Sequence, residues 1–568
     1  MAKRMLTATL MAGTLLAGCA TKQEKVVEGA SEVVVTATRQ SGKTDTDGIA
    51  LNAPREAYPS AAPPPPPAPG VLQSLVAPAP LMANKAVQDS RYIHVPSVIV
   101  PGDPGTERYD GKEVSPVHLT RSEPVSTFSV DVDTGAYANA RRFLTAGQLP
   151  PRDAVRTEEM INYFRYAYPL PEKREAPFSV TTDMAVTPWN AQTRLLRVGL
   201  RGYDLPRSQR PPANLVFLVD VSGSMYDPDK LPLVKTALMG LAEELKPQDR
   251  VSIVVYAGAA GLVLPPTNDK AQIRAALEQL QAGGSTAGGA GLQLAYEVAR
   301  TSFIKDGVNR ILLATDGDFN VGVSDTKALL EMVEKQRDSG ITLTTLGFGQ
   351  GNYNEAMMEQ IADHGNGNYA YIDTALEARK VLAEEMSSTL FTIAGDVKIQ
   401  VEFNPAAVSQ YRLVGYENRA LREEDFNNDK VDAGEIGAGH QVTAIYEIVP
   451  AGAPGWIGPR RYEEGPAQEG PAGSELAFVK LRYKLPGESK SRLIERPVAR
   501  SLIAAAAPPR GDMAFAVAVA AYGQKLRGDP MLANFGWQQV HTLAGEPADF
   551  SRAEFVKLVS LAGSLARP

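Results

Sequence analysis

Alternation between apolar and polar positions divides the chain into segments of different character. Between Asn214 and about Leu390, short apolar runs typical of buried strands alternate with stretches whose apolar residues recur at helical spacing. The strand-like runs are NLVFLVD, DRVSIVVYAG, NRILLATDG and ITLTTLGFG, and amphipathic helices such as KLPLVKTALMGLAEEL lie between them. This order predicts a doubly wound α/β domain, in which binding sites lie at the carboxyl ends of the strands.

Segments on both sides of this unit show the period-two alternation of half-buried strands. FSVTTDMAVTPW and TRLLRVGLRGYDL precede the unit, and DVKIQVEFNP, HQVTAIYEIVP and ELAFVKLRYKLP follow it. DMAFAVAVAAYGQKL and SRAEFVKLVSLAGSLA then predict a helical tail. We therefore expect the α/β unit to be inserted in, or flanked by, a β-rich domain, with a helical C-terminal region.

The N-terminus carries a targeting pattern. Lys3 and Arg4 precede an apolar run that is shorter than the roughly 20 residues of a membrane-spanning helix, which predicts a secretory signal peptide. The run ends in LLAGC, which resembles the bacterial lipobox, and Cys19 is the only cysteine of the chain. The resemblance implies cleavage before Cys19 and lipidation of its thiol, and Ala20 favours the outer membrane over the inner. An ordinary free cysteine after a signal peptide is the alternative.

A long tether is expected after Cys19. APPPPPAPG predicts an extended polyproline spacer, and EVVVTATR (32–39) resembles the TonB box of outer-membrane transporters, although a β-prone linker is favoured. The predicted organisation is a signal peptide (1–18), a lipidated tether (19–91), an N-terminal α+β flanking domain (92–213), the α/β domain (214–392), a β-rich domain (393–500) and a helical region (501–568).

Charge and composition narrow the class of partner. The chain has 568 residues with a net charge of −7, and its basic residues are scattered rather than clustered. This distribution argues against nucleic acid as a partner. A length of this size exceeds what one hydrophobic core supports, so several domains are expected.

Five oxygen-bearing side chains are predicted to meet at one edge of the α/β sheet. Asp220, Ser222 and Ser224 follow the first strand in LVFLVDVSGSMYD, and Asp316 ends a later strand. Thr286 lies in the glycine-rich loop AGGSTAGGAGL, which opens a helix. An all-oxygen set of two carboxylates and three hydroxyls suits a hard divalent cation such as Mg²⁺, or another such as Mn²⁺ or Ca²⁺.

The order Asp-x-Ser-x-Ser, distant Thr, distant Asp resembles the metal-ion-dependent adhesion site of von Willebrand factor type A domains. By that resemblance Ser222, Ser224 and Thr286 coordinate the metal directly, while Asp220 and Asp316 act directly or through water. The resemblance also implies an open coordination position for an Asp or Glu side chain of a protein partner. In integrin relatives such binding shifts the last helix, here predicted at Ala375–Leu390. The flanks look like those of bacterial lipoproteins that carry this domain.

Other chemistry is weaker in the sequence. VDVDTGA (130–136) is similar to an aspartic protease signature, but no second Asp-Thr-Gly occurs, and Asp133 is expected to cap the following helix. Ser222 or Ser224 could act as a nucleophile only with a histidine base. The segment DFNNDKVDAGEI (425–436) resembles a calcium-binding loop but departs from it at Lys430, where the turn requires glycine, and at Ile436, where a bidentate Glu is required. We therefore predict a non-enzymatic binding protein; a metal-dependent hydrolase or enzyme subunit, or a purely structural envelope lipoprotein, are the alternatives.

Overall fold

The structure is a computed structural model that describes a defined part of the chain: residues 107–172, 176–286, 288–317, 326–385, 388, 390–458, 473–532 and 534–566. The predicted signal peptide, Cys19, the tether and the EVVVTATR segment lie outside the described residues. Within the described residues no helix is both long and apolar enough to cross a membrane.

Seventeen strands are present in the described residues. They are β1 (His118–Leu119), β2 (Val125–Ser129), β3 (Phe178–Thr187), β4 (Asn190–Gly202), β5 (Ala213–Asp220), β6 (Arg250–Tyr256), β7 (Ala260–Thr267), β8 (Val308–Thr315), β9 (Thr342–Phe348), β10 (Tyr369–Ile372), β11 (Thr392–Phe403), β12 (Val408–Val414), β13 (Ala420–Leu421), β14 (Ile436–Gly437), β15 (Gln441–Pro450), β16 (Glu475–Lys484) and β17 (Arg492–Ala499).

The α-helices of the described residues fall within the α/β unit and on both sides of it. They are α1 (Gly135–Thr145), α2 (Thr157–Asn162), α3 (Leu231–Glu243), α4 (Lys270–Gln279), α5 (Gly288–Thr301), α6 (Thr326–Arg337), α7 (Glu355–His364), α8 (Ala375–Arg379), α9 (Ser501–Ala505), α10 (Gly511–Arg527), α11 (Trp537–Ala544) and α12 (Phe550–Leu565).

The α/β unit is built on one six-stranded sheet in the order β10-β9-β8-β5-β6-β7. All neighbours are parallel except β7, which pairs antiparallel with β6 at the edge. Every residue of the central strand β5 is buried, as its continuous apolar run requires. The predicted doubly wound α/β fold is confirmed. The sequence patterns did not reveal β7, an exposed edge strand with two prolines, or β10, which has only four residues.

Strands from both sides of this unit pair with one another in two antiparallel sheets. One sheet has the order β1-β12-β15-β4-β3, and the other has the order β13-β2-β11-β16-β17, with β14 paired to β11. Because β4 precedes the α/β unit and its partner β15 follows it, the unit is inserted in a scaffold that both flanks build together. The expected insertion is thus confirmed, while the boundaries assigned to each flank remain predictions.

The scaffold has three layers, two sheets and one layer of helices. Leu196 and Tyr446 of the first sheet pack toward the second sheet. Leu195 and Ile445, the next residues on each strand, pack toward helices from the two ends of the described chain. The predicted C-terminal helices are present, but they are not a separate tail, because α10 and α12 share one core with α1 and α2.

The packing of Phe555 tests this shared helical core. Phe555 is fully buried on α12 and its ring contacts those of Phe164, Phe515 and Tyr522. Phe555→Ala should lower the free energy of unfolding by about 3–5 kcal/mol, because it leaves a cavity among these rings. Urea denaturation followed by circular dichroism measures the loss. Phe550→Ala on the same helix is the control, since Phe550 is exposed; equal stability of both variants would show that α12 is peripheral.

Candidate metal centre

The first strand of the α/β unit ends in a turn that presents oxygen atoms. Asp220 is fully buried at the end of β5, and its Oδ1 accepts a hydrogen bond from the Ser222 backbone amide at 2.9 Å. A short 3₁₀ helix, Gly223–Tyr226, follows at once. The turn brings the hydroxyls of Ser222 and Ser224 within 3.0 Å of each other. Three of the predicted site residues therefore meet in this turn.

The glycine-rich loop is held against the same turn by backbone hydrogen bonds. The Gly283 amide donates to the Val221 carbonyl at 2.8 Å, and the Gly223 amide donates to the Gly284 carbonyl at 3.0 Å. Gly284 has a φ of +88°, a conformation that favours glycine. Thr286 lies two residues further along and is half-buried. The structure therefore places the loop that carries Thr286 beside Ser222 and Ser224.

Asp316 joins the site from the next strand of the sheet. It follows β8 and is fully buried, and the preceding Thr315 hydroxyl donates to Asp220 Oδ2 at 2.9 Å. Neighbouring parallel strands that end at the same level explain this contact, since β5 and β8 pair in register up to Val219 and Ala314. The two predicted carboxylates thus lie on adjacent strand ends.

Two residues that the sequence patterns did not single out complete the site. The Lys230 ammonium donates to Asp316 Oδ2 at 3.0 Å and to Asn352 Oδ1 at 3.1 Å, and the Asn352 amide donates to Asp316 Oδ2 at 3.1 Å. Lys230 is buried at the start of α3. Asn352 lies further along the loop after β9, which ends at Phe348, so the strand-end rule that identified Asp316 does not reach it. No sequence pattern points to Lys230, because a single lysine before a helix is common and indicates no particular function.

Glycine at position 349 makes room for Lys230. Gly349 has a φ of +74°, and a Cβ there would lie 2.4 Å from both Cγ and Cε of the lysine. Any other residue would strain the backbone and displace the lysine stem. The position of the ammonium is therefore fixed by the loop after β9.

Burial sets the electrostatics of the site. Burial, together with the Asp316 carboxylate, raises the pKa of Asp220 to about 6, although hydrogen bonds from Ser222 and Thr315 lower it in part. A divalent cation would relieve the repulsion between these buried carboxylates. No three His, Cys, Asp or Glu side chains cluster as metal ligands in the described part of the chain. Metal binding at this edge would therefore depend on the hydroxyls as well as the carboxylates, which fits a hard cation.

Family models match three consecutive parts of the chain. One described as von Willebrand factor matches residues 103–197, one described as von Willebrand factor type A domain matches residues 214–385, and one described as the C-terminal part of uncharacterized protein YfbK matches residues 388–565. A relative from Escherichia coli (strain K12), "Uncharacterized protein YfbK", is 48% identical over 504 residues, which cover 86% of each chain. The chain belongs to the YfbK family. It contains a von Willebrand factor type A domain.

More distant relatives match shorter parts of the YfbK-family chain. "Uncharacterized protein sll0103" of Synechocystis is 34% identical over 206 residues, 35% of this chain and 48% of the relative. Among solved structures, a von Willebrand factor type A protein from Catenulispora acidiphila is 17% identical with a TM-score of 0.38, covering 70% of this chain and 98% of its own. Mussel byssus proximal thread matrix protein 1 is 18% identical with a TM-score of 0.27, covering 33% and 46%.

Two sequence motifs have structural roles in this YfbK-family chain. The prediction that Asp133 caps α1 is wrong: Thr134 precedes the helix, and Asp133 instead accepts the Tyr369 amide at 2.9 Å and pairs with Arg419 at 3.1 Å. This contact ties the VDVDTGA segment to strand β10, because a buried carboxylate requires partners. In the calcium-like segment, Asp429 is held by Arg482 at 2.8 Å, so that carboxylate is engaged in an ion pair.

Arginines of scaffold helix α1 are linked to two parts of the α/β unit, the loop after β9 and the start of the last helix. Arg142 pairs with Glu107, whose Oε1 accepts the Gly351 amide in the loop that carries Asn352. The adjacent Arg141 pairs with Asp373 at 2.5 Å and Glu377 at 2.7 Å. Consecutive arginines thus connect the loop at the metal edge and the start of the last helix to the same scaffold helix.

In the described residues, the last helix of the α/β unit is less regular than predicted. Ala375–Arg379 is α-helical, and a π-helical turn continues it over Lys380–Glu384. The Lys380 ammonium lies 3.2 Å from the centroid of the Tyr163 ring. A shift of this helix like that in integrin relatives would have to break the Arg141 and Lys380 contacts.

Metal binding can be tested at the predicted ligands. Asp220→Ala and Thr286→Ala should each weaken Mg²⁺ binding by at least about tenfold, because each removes an oxygen from the proposed set. Isothermal titration calorimetry of the full chain measures the affinity. Asp227→Ala is the matched control, since Asp227 is exposed just beyond the turn. Mg²⁺ affinity that is unchanged in both variants would contradict the assignment.

The buried acids between α7 and the scaffold predict a pH effect on stability. Burial raises the pKa of Glu355 to about 8, from an ordinary value of 4.5, and Arg156 only partly offsets this. Between about pH 4.5 and pH 8, the folded chain therefore keeps a proton on Glu355 that the unfolded chain releases. The free energy of unfolding consequently falls as the pH rises through this range. Glu355→Gln should be more stable than the wild type by over about 1 kcal/mol at pH 8 but not at pH 4.

Urea midpoints measured at the two pH values check this expectation. Glu384→Gln serves as the control, because its side chain is exposed on the last helix of the same unit. The assignment is wrong if Glu355→Gln and the wild type lose stability equally between pH 4 and pH 8.

Proposed function

We propose that this chain is a lipid-anchored cell-envelope protein that binds a protein partner through a divalent cation, with the partner supplying an Asp or Glu carboxylate. The metal would be held by Asp220, Ser222, Ser224, Thr286 and Asp316, with Mg²⁺ as the expected ion. When bound, the cation supplies an electrophilic position that an acidic side chain can occupy. The anchor would be a lipid on Cys19, with the outer membrane favoured.

The observation that carries this proposal is the ion pair between Lys230 and Asp316. The buried ammonium offsets one of the two carboxylates, and hydroxyls contribute no charge. A divalent cation in this setting would be incompletely neutralised, so the site would keep a net positive charge. Such a site favours an anionic ligand from outside the chain.

An exposed aromatic residue lies next to this edge. Tyr226 is 80% exposed and ends the 3₁₀ helix that contains Ser224. Tyrosine is enriched among residues that dominate binding energy at protein interfaces. We assign Tyr226 to the contact surface around the metal, where it would bind the partner without holding the ion.

The two alternative functions, metal-dependent hydrolysis and a purely structural role, would require different features of the site. Hydrolysis would require a general base close to the metal. The side chains that donate to Asp220 and Asp316 in the described part of the chain include those of Thr315, Lys230 and Asn352, and none of these three is a His or Glu. Asp220 and Asp316 are already committed to hydrogen bonds within the site. A purely structural lipoprotein would be indifferent to loss of these side chains.

A pull-down from envelope extract tests the proposal. Wild-type chain should recover a partner in Mg²⁺ but not in excess chelator, and Asp220→Ala and Thr286→Ala should lose that partner. Tyr226→Ala should reduce recovery several-fold while its Mg²⁺ affinity, measured by calorimetry, stays at the wild-type value. Asp227→Ala should behave as the wild type. Identical recovery across all variants and with chelator would remove the metal-dependent binding function.

A further inference from the structure

A large cavity lies at the edge of the parallel sheet opposite the candidate metal centre. It has a volume of about 710 Å³ and is bounded by the N-terminal ends of β8 and β9 and by residues of the scaffold strands β11 and β16. Its apolar wall includes Leu205, Phe391, Ile393 and Leu485. Cavities of this size between structural units are typical sites for small molecules.

One buried acid in this cavity lacks a hydrogen-bond partner. Glu435 is 8% exposed, and its Oε1 has no hydrogen-bond partner among the described residues. A buried polar atom without a partner is costly, so such atoms commonly mark a place that a ligand or water fills. Burial raises the pKa of Glu435 well above its usual range, nearby Asp432 and Asp396 raise it further, and Arg310 offsets this only in part. A cation beside Glu435 would relieve this penalty.

The charges around the cavity favour a cationic ligand. Four acidic residues and two basic ones line it; they are Asp306, Asp396, Glu435, Glu488, Arg310 and Lys484. Both basic residues already have acceptors within the chain. Lys484 donates to Asp396 at 2.5 Å, and Arg310 donates to the hydroxyls of Thr342 at 2.9 Å and Thr344 at 3.2 Å. The surplus of charge is therefore negative.

We propose that this cavity binds a small amphipathic molecule with a protonated amine, its amine beside Glu435 and its apolar body against Phe391 and Ile393. The amine supplies the hydrogen-bond donor that Oε1 lacks, and the apolar wall removes the body of the ligand from water. This site uses none of the proposed metal ligands, so it can be tested independently of the proposed function.

Matched probes of opposite charge test the proposal. Tryptamine and indole-3-propionate share an indole ring and differ in the charge of the side chain, and phenethylamine and hexylamine vary the apolar body. Calorimetry with the full chain should show that the three amines bind and that tryptamine binds at least about tenfold more tightly than the acid. Chelator and Asp220→Ala should leave tryptamine binding unchanged.

Glu435→Gln assigns the binding to the cavity, because it removes the carboxyl group that can ionise beside the amine and keeps the volume. It should weaken tryptamine binding at least about tenfold. Glu424→Gln, an exposed acid outside the cavity, should have no effect. The proposal is overturned if no amine binds, if tryptamine and the acid bind equally, or if Glu435→Gln binds as the wild type does. If that variant does not fold, the comparison of amine and acid in the wild type decides.

Discussion

The fold of the α/β unit forces two buried carboxylates onto adjacent strand ends, and the candidate site depends on how the chain stabilises them. Asp220 and Asp316 are both fully buried. The Ser222 amide and the Thr315 hydroxyl stabilise the first, and the Lys230 ammonium and the Asn352 amide stabilise the second. Both carboxylates lie at this edge because neighbouring parallel strands end at the same level. Their hydrogen bonds and the Lys230 ammonium offset the cost of burying them.

The β-rich scaffold does more than carry the inserted unit. Its strands come from both flanks, so the unit enters and leaves through neighbouring parts of one structure. Its helix α1 binds the loop after β9 through Glu107 and the last helix through Arg141. A rearrangement at the metal edge would therefore change these contacts with the scaffold, and this would couple the two parts of the molecule.

The sequence predicted those features that depend on strand pattern and strand ends. The apolar runs identified four parallel strands and located Asp220 and Asp316 at one edge. The sequence patterns did not predict the features that depend on tertiary contacts. Strand β10 is stabilised by the Asp133 carboxylate, which local reasoning assigned to a helix cap. The C-terminal helices pack against the ring of Phe164, which follows α2 and contacts Phe515 and Phe555. Lys230 and the cavity around Glu435 bring together residues too far apart in the chain for any local pattern to connect.

The central claim is that Ser222, Ser224 and Thr286 share one divalent cation with the two carboxylates. A crystal structure of the full chain grown with Mn²⁺, with anomalous difference density, tests it most directly. We predict a single strong peak within coordination distance of the three hydroxyls, with Lys230 still bonded to Asp316. Density for a protein or water group in that position, without an anomalous peak at saturating Mn²⁺, would contradict the account.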